Sequence, residues 1–191
     1  MTLLPTAFIS VSVLRRFDSA AMRKIHADEF PAAYSIMEEA FSKDEIRSYA
    51  GQEGLLGRGE YDLFVEADGA ALEAVVALWR FDGFGYLENF AVRKELRGHG
   101  MGSGMLRELA EICNGNIILE VEKPDTDIAR RRIGFYKRCG FFMNDYDYVM
   151  PPLEPGLNPV PLLIMSYGGE LAPDEFEHFR RTVFREVFGV T

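Results

Sequence analysis

The sequence predicts a mixed α+β domain, in which a central, mostly antiparallel mixed sheet of about seven strands is flanked by helices. Short apolar runs bounded by glycine, proline and aspartate turns indicate the strands, and longer segments with apolar residues at helical spacing indicate the helices. The chain has 48% hydrophobic and 27% charged residues, which is typical of a globular protein. Because no repeat or low-complexity segment divides it, we expect one domain over residues 1–191.

Three consecutive strands form a predicted antiparallel meander. The dipeptide Asp68-Gly69 and the stretch "DGFG" supply its tight turns, because glycine adopts the positive φ that such turns require. The strands predicted for the whole sheet are 7–14, 61–67, 71–81, 84–92, 116–122, 141–150 and 160–167.

Helical regions lie between these strands and at the end of the chain. The first spans roughly 19–50, where Pro31 suits a first helical turn. Another begins near residue 101 after a run of glycines, and a third is capped by Thr126. The last, about 173–188, carries its aromatic and valine residues on one stripe, which core packing explains.

Composition narrows the class of protein. A net charge of −9 disfavours a nucleic-acid partner, whose phosphates would be repelled. The two cysteines, Cys113 and Cys139, lack metal-ligand spacing, so we expect no metal site and a reducing compartment. No apolar stretch reaches membrane-spanning length and no secretory leader is evident, so we expect a cytoplasmic protein without a membrane partner.

Four glycines at alternate positions, in the stretch "RGHGMGSG", precede the helix that begins near residue 101. Glycines between a strand and a helix N-terminus favour an anion such as a phosphate, because bare backbone N–H groups face the ligand. A P-loop is excluded, since Gly-Lys-Ser/Thr is absent. A dinucleotide fingerprint fits poorly, because Ser103 and Met105 stand where its third glycine would fall.

Two motifs carry a more specific resemblance. The stretch "VRKELRGHGMG", residues 92–102, matches V-x-x-x-x-R-x-x-G-x-G, an acyl-CoA signature. Downstream, "RRIGFYKRCGFF", residues 131–142, matches a Tyr-x-x-x-Gly-Phe segment through Tyr136, Gly140 and Phe141. The sequence therefore resembles the GCN5-related N-acetyltransferases, and its element order agrees with that family from about residue 7 to 168.

The resemblance implies that the chain binds acetyl-CoA. In the family two sheet strands splay apart around the pantetheine arm, and here these would be 84–92 and 116–122. The family's second motif often carries an asparagine and an alanine at the positions of Ala129 and Arg132, so an arginine is expected to replace the asparagine contact to the cofactor. The implied cofactor-binding residues are Phe90, Ala91, Val92, Leu96, Arg97, Gly98, His99, Gly100, Met101, Gly102 and Arg132.

The resemblance also implies two catalytic residues. Glu88 would act as general base toward an amine, directly or through water, and Tyr136 would protonate the departing CoA thiolate. Without a β-bulge, Glu88 would share one face of its strand with the aromatic residues Phe84, Tyr86 and Phe90. The acceptor pocket is expected from residues 28–60 and 151–159.

Three functions are compatible with these sequence features. The leading one is an acetyl-CoA-dependent N-acetyltransferase acting on a primary amine of a small molecule or peptide. The alternative is a non-catalytic acyl-CoA-binding or sensor module, which the presence of both Glu88 and Tyr136 disfavours. An NAD-binding oxidoreductase is disfavoured by the interrupted glycine fingerprint. The C-terminal strand and helix are compatible with a homodimer.

Overall fold

The computed structural model describes residues 22–190, and the strand predicted for 7–14 lies outside them. A seven-stranded sheet with the spatial order β1-β2-β3-β4-β5-β7-β6 organises the described chain, which confirms the predicted α+β class. Its strands are β1 (Arg23–Lys24), β2 (Tyr61–Asp68), β3 (Ala71–Phe81), β4 (Phe84–Val92), β5 (Ile117–Glu122), β6 (Phe141–Met150) and β7 (Val160–Tyr167).

Within residues 22–190, five α-helices and three short 3₁₀ turns lie between or after the strands. The helices are α1 (Phe30–Ala40), α2 (Tyr49–Glu53), α3 (Met101–Ile112), α4 (Asp127–Arg138) and α5 (Pro173–Glu186), and the 3₁₀ turns are Ala27–Glu29, Lys43–Glu45 and Lys94–Leu96. Pro31 lies in the first turn of α1, and the Thr126 hydroxyl caps α4 by accepting from the amide of Ala129, as predicted. None of the helices within residues 22–190 is both long and apolar enough to cross a membrane.

The predicted meander of β2, β3 and β4 is confirmed. Its two turns place Gly69 at φ 59° and Gly83 at φ 87°, the left-handed region that glycine enters without a steric penalty. The prediction of helix throughout 19–50 is wrong at its start, because Arg23 and Lys24 pair with Val65 and Phe64 of β2. A two-residue edge strand is too short to produce an alternating pattern, so it is specified by its partner.

The sheet separates two apolar layers. On one face, the α1/α5 layer packs Phe30 and Phe179 against Trp79 of β3. On the other face, the α3/α4 layer packs Met105 and Ile133. Alternate side chains of a regular strand enter these two layers, so residues two apart along β5 face the same helices.

Strands β4 and β5 run parallel, whereas the other neighbouring strands in the described sheet are antiparallel. Their pairing covers Gly85–Leu87 on β4 and Ile117–Leu119 on β5. Beyond these three pairs the two strands continue without pairing to each other. The sheet therefore opens into a wedge at its centre, as the splayed strands of the sequence-based prediction require.

Candidate active site

The wedge between β4 and β5 leaves backbone hydrogen-bonding groups without a strand partner. From Asn89 to Val92, β4 pairs with β3 on one edge, while its edge toward β5 has no paired strand. An extended ligand can hydrogen-bond to such an edge as an added strand would. Phe90, Ala91 and Val92, which the sequence assigns to cofactor binding, lie on this segment.

A run of free backbone donors lies next to this edge, at the N-terminus of α3. Among the described residues, no backbone N–H from Gly98 to Ser103 has an acceptor, since the first donor of the helix is the amide of Gly104, which bonds to the Gly100 carbonyl. The amides of Leu96 and Arg97 donate within the preceding 3₁₀ turn. Six consecutive free N–H groups at a helix N-terminus form a cradle for an anion, because the helix dipole adds to their partial positive charge.

Glycine permits the backbone path of this cradle. Gly98 and Gly100 adopt φ values of 84° and 92°, and each has open space where a side chain would project. Gly102 is needed for a different reason, since a Cβ there would lie 3.2 Å from the ring of Phe135 and 3.3 Å from that of Phe90. Packing against α4 and β4 thus brings the first turn of α3 close to the wedge.

Two side chains of the predicted cofactor site lie beside the cradle. The Nε of Arg97 donates to the Val92 carbonyl at 2.8 Å, which ties the loop to the end of β4. The exposed His99 ring lies 3.3 Å from the Leu96 carbonyl through Nδ1. Both side chains border the free amides, and the remaining guanidinium N–H groups of Arg97 have no partner among residues 22–190.

Glu88 occupies the wedge in a tightly held position. Its side chain is 4% exposed and forms an ion pair with Arg47, whose side chain is 5% exposed. The second carboxylate oxygen accepts a 2.8 Å hydrogen bond from Nε1 of Trp79. Burial opposes the charge of Arg47, but the Glu88 carboxylate outweighs it and raises the guanidinium pKa. Both oxygens of the predicted general base are therefore already engaged.

A β-bulge at Glu88 overturns one expectation. Ala77 of β3 pairs with Asn89, whereas the next residue, Leu78, pairs with Leu87, so Glu88 is the extra residue on β4. Phe84, Tyr86 and Glu88 face the α1/α5 layer, but the bulge turns Phe90 to the opposite face. There Phe90 packs against Phe135 of α4, with ring centroids 6.3 Å apart. The shared face was predicted for a strand without a bulge, and because a bulge is present Phe90 does not share the face of Glu88.

Glu120 of β5 faces Glu88 across the wedge, and sequence reasoning did not assign it to the site. Its carboxylate accepts hydrogen bonds from the hydroxyls of Tyr148 and Tyr86. Burial raises the pKa of Glu120 to about 7, although the two hydroxyls act in the opposite direction. A sequence signal existed, because "IILEV" places one carboxylate in an otherwise apolar strand, where burial needs a compensating partner.

Tyr136 and Arg132 project from α4 on the other side of the wedge. Tyr136 is buried in the α3/α4 layer, and burial raises the pKa of its phenol well above the usual range. Its hydroxyl has no hydrogen-bond partner within residues 22–190. Arg132 pairs with Glu122 at 2.5 Å, while the other Glu122 oxygen is buried without a partner.

Glu88, Glu120 and Arg132 border one cleft with about 400 Å³ of empty space, open solvent included, and Tyr136 does not line it. Four of its lining residues are glutamates, and part of the remaining wall is apolar; they are Glu45, Glu88, Glu120, Glu122, Phe41 and Leu153. Segments 28–60 and 151–159, predicted to form the acceptor pocket, meet at this cleft. They are joined by hydrogen bonds from Ser48 to Glu154 and from Asn158 to Asp44.

A larger cavity, with about 1090 Å³ of empty space, lies at the opposite end of β4 and β5. It is bordered by the glycine turns around residues 83, 115 and 168 and by His178 of α5. None of the residues predicted for the site lines it. Across the described chain, no group of three or more histidine, cysteine, aspartate or glutamate side chains is arranged to hold a metal ion.

Comparison with known proteins assigns this arrangement to a family. The sequence pattern of the acetyltransferase (GNAT) family matches residues 19–141. The chain belongs to the GNAT family. A solved GNAT-family structure from Bacteroides thetaiotaomicron, described as an acetyltransferase, is 30% identical with a TM-score of 0.81, and the match covers 90% of this chain and 99% of that one.

Two further relatives extend the comparison. YjbC of Bacillus subtilis (strain 168), named as an acetyltransferase, is 31% identical over 110 residues, which are 56% of this chain and 55% of that protein. The match thus spans about half the length of this curated relative. The Escherichia coli ribosomal-protein-S18-alanine N-acetyltransferase shares the fold at 19% identity, with a TM-score of 0.58 over 81% of this chain and 96% of that one.

GNAT enzymes use acetyl-CoA, and the residues of this chain fit that molecule. The free amides of residues 98–103 suit its pyrophosphate, because they supply N–H donors and a helix dipole at one point. The unpaired edge of β4 suits its amide-containing arm. Membership of the GNAT family therefore agrees with the local chemistry of both elements.

Proposed function

We propose that this protein is an N-acetyltransferase that moves an acetyl group from acetyl-CoA to a primary amine by direct attack in a ternary complex. The run of free amides at residues 98–103, placed where the unpaired edge of β4 ends, carries the proposal. The amides would hold the pyrophosphate and the β4 edge would hold the arm, and the residues where that edge begins, Glu88 and Asn89, line the cleft together with Glu120.

The donor would enter from the side of the α3/α4 layer. Backbone groups of Phe90, Ala91 and Val92 would pair with the pantetheine arm, and the free amides from Gly98 to Gly102 would hold the pyrophosphate. Arg97 would add a charge-assisted contact through its unpaired guanidinium N–H groups. Arg132 would reach a phosphate only by leaving Glu122, so its contribution is the weakest of the set.

The acceptor would enter the same cleft from the side of the α1/α5 layer. Four glutamates line the cleft; Glu88 and Glu122 are paired with Arg47 and Arg132, and Glu45 and Glu120 have no ion-pair partner within residues 22–190. A cationic group such as a protonated amine is attracted to a surface of this charge. The apolar wall of Phe41 and Leu153 would contact the carbon skeleton next to the amine. A primary amine with an apolar neighbour therefore suits the cleft, in a small molecule or at an exposed peptide position.

The chemistry requires that the amine lose two protons and that the departing thiolate gain one. An alkylamine has a pKa near ~10.4, so it arrives protonated and must lose a proton before its lone pair attacks the thioester carbon. A cleft carboxylate would accept this proton, and Glu88 remains the residue predicted from sequence. When the carbon–sulfur bond breaks, Tyr136 would protonate the thiolate, since its buried phenol retains its proton at neutral pH.

The test combines binding with turnover. Thermal shift with acetyl-CoA, CoA and NADH identifies the cofactor, and thiol release from acetyl-CoA is followed with spermidine, an aminoglycoside and a peptide beginning with alanine. We expect stabilisation by acetyl-CoA and CoA but not NADH, together with amine-dependent thiol release. Stabilisation without release from any amine would favour the non-catalytic acyl-CoA-binding module, and stabilisation by NADH alone would overturn the assignment of the glycines.

A further inference from the structure

Two carboxylates face each other across the wedge in different chemical settings. Glu88 is held by a guanidinium and an indole N–H, which are permanent donors at neutral pH. Glu120 is held by two phenol hydroxyls, and no lysine or arginine forms an ion pair with it within residues 22–190. A carboxylate paired with a guanidinium is stabilised in its charged form, whereas one surrounded by neutral groups and apolar walls accepts a proton more readily.

We infer that Glu120 is the carboxylate that takes the proton from the acceptor amine, and that Glu88, fixed by Arg47 and Trp79, is a positioning residue. The inference rests on the proposed function. It follows from the shared cleft, which both side chains line, and from the contrast between their hydrogen-bond donors. Glu120 stays hydrogen-bonded in either protonation state, because a phenol can donate to a carboxylate or accept from a carboxylic acid.

The proton balance of the step is simple. The ammonium nitrogen gives one proton to a Glu120 oxygen, directly or through one water, and the freed lone pair forms the bond to the thioester carbon. As the carbon–sulfur bond breaks, the attacking nitrogen loses its second proton to solvent. Tyr136 protonates the thiolate and regains a proton from solvent, and Glu120 returns its proton to solvent. The reaction consumes acetyl-CoA and an ammonium and yields an amide, CoA and one proton, so no oxidant or further reactant is needed.

The groups that face Glu120 set the pH at which it can act. Tyr86 and Glu88 face it from β4, and Tyr148 faces it from β6. Arg180 of α5 acts on Tyr148 rather than on the carboxyl itself. Burial raises the pKa of Glu120 to about 7, the neighbouring Glu88 charge adds to the rise, and the two hydroxyls lower it. An acid with this pKa is divided between its two forms near neutral pH, which suits a general base.

The test compares pH profiles of kcat/KM for the wild type, Glu120→Gln and Glu88→Gln, with the amine that gives the fastest thiol release. In the wild type we expect an ascending limb with a midpoint near the raised pKa of about 7. Glu120→Gln should lose roughly 10²- to 10⁴-fold in activity and lose the limb. Glu88→Gln should have a lower kcat/KM than the wild type but should keep the ascending limb. Tyr148→Phe should move the limb to higher pH, because its hydroxyl lowers the pKa of Glu120.

A second readout does not depend on turnover. Because burial also raises the pKa of Glu66 to about 7, the spectra are recorded in a Glu66→Gln background. Infrared difference spectra between pH 5 and 9 should show a carboxyl carbonyl band that titrates near neutrality in this background and is missing when Glu120→Gln is added. Glu170→Gln, at an exposed position outside the cleft, serves as the control for both measurements. A limb and a band that persist in Glu120→Gln but disappear in Glu88→Gln would overturn the inference. Absence of thiol release and of acetyl-CoA stabilisation in the wild type would instead overturn the proposed function.

Discussion

Nε1 of Trp79 donates a 2.8 Å hydrogen bond to the carboxylate of Glu88, from the strand next to it in the meander. The β-bulge that makes Glu88 an extra residue on β4 turns this carboxylate toward the indole and toward Arg47. The result is a buried charge whose two oxygens are both satisfied. The cluster ties β4 to β3 and to the segment before α2 at a point where β4 has no strand partner on its other edge.

Removing Arg47 should destabilise the fold strongly. Arg47→Ala leaves Glu88 charged, buried and without its cation, which costs about 3–5 kcal/mol of unfolding free energy. Arg23→Ala is the matched control, since the Arg23–Glu29 pair is partly exposed and screening by water makes such surface pairs contribute little to stability. Urea titrations followed by circular dichroism provide the measurement. Equal losses in the two variants would contradict the importance of the buried pair.

A side chain at Gly100 should weaken acetyl-CoA binding. The residue adopts φ 92° at the N-cap of α3, where an L-residue is strained by about 1–2 kcal/mol. Gly100→Ala should therefore weaken acetyl-CoA binding by roughly tenfold, measured by isothermal titration calorimetry. Gly104→Ala is the control, because that position lies within α3 in open space and alanine there gains about 1 kcal/mol of helix propensity. Tighter binding by Gly100→Ala would contradict the cradle.

Tyr136→Phe should separate turnover from binding. Loss of the phenol that would protonate the thiolate should lower kcat by roughly 10²-fold or more, with the KM for acetyl-CoA and the thermal stability unchanged. Stability is preserved because the hydroxyl has no partner within the described residues. Tyr146→Phe is the control with the opposite pattern, since its hydroxyl donates to the Leu171 carbonyl at 2.8 Å and its loss costs about 1 kcal/mol. Normal turnover of Tyr136→Phe at every pH would remove it from the mechanism.

Stability should decline as the pH rises from about 4.5 to about 7. Burial, together with Glu108 and Glu73, raises the pKa of Glu66 to about 7 from its ordinary value of 4.5. In this window the folded protein retains a proton that the unfolded chain has lost, so the stabilisation present below pH 4.5 disappears as the pH approaches 7. Glu66→Gln should show a smaller decline in Tm over the same range. A decline identical to that of the wild type would show that Glu66 ionises normally.

Local sequence signals predicted most of the fold. The bounds of β3, β4, β6 and β7 agree with the prediction, because turns and prolines delimit each strand. The Thr126 cap and the glycine cradle are likewise determined by residues next to one another in the chain. In each case the residues that determine the structure are adjacent in the chain, so periodicity and turn chemistry suffice.

The features that the sequence did not predict are those that depend on contacts between residues far apart in the chain. The bulge at Glu88 is fixed by the register against β3, which no strand pattern in β4 reveals. Arg47 lies 41 residues before the carboxylate that it binds, and it precedes α2 in a segment without regular structure. Glu120 belongs to the site because β5 places it beside Tyr148, which lies 28 residues away in the chain. Long-range electrostatic partners of this kind depend on tertiary structure.

Only three residue pairs join β4 to β5. The described sheet therefore consists of two halves, β1 to β4 and β5 to β7, connected by this short pairing. A donor seated in the wedge would supply, from solution, the interior strand that the polypeptide omits. A donor that binds only the folded protein would raise its free energy of unfolding, by about 2.7 kcal/mol when the donor concentration is a hundredfold above Kd. Backbone amides on both sides of these pairs would therefore exchange with solvent more slowly when the donor is bound. How firmly the two halves of the sheet hold together would then depend on whether the donor site is occupied.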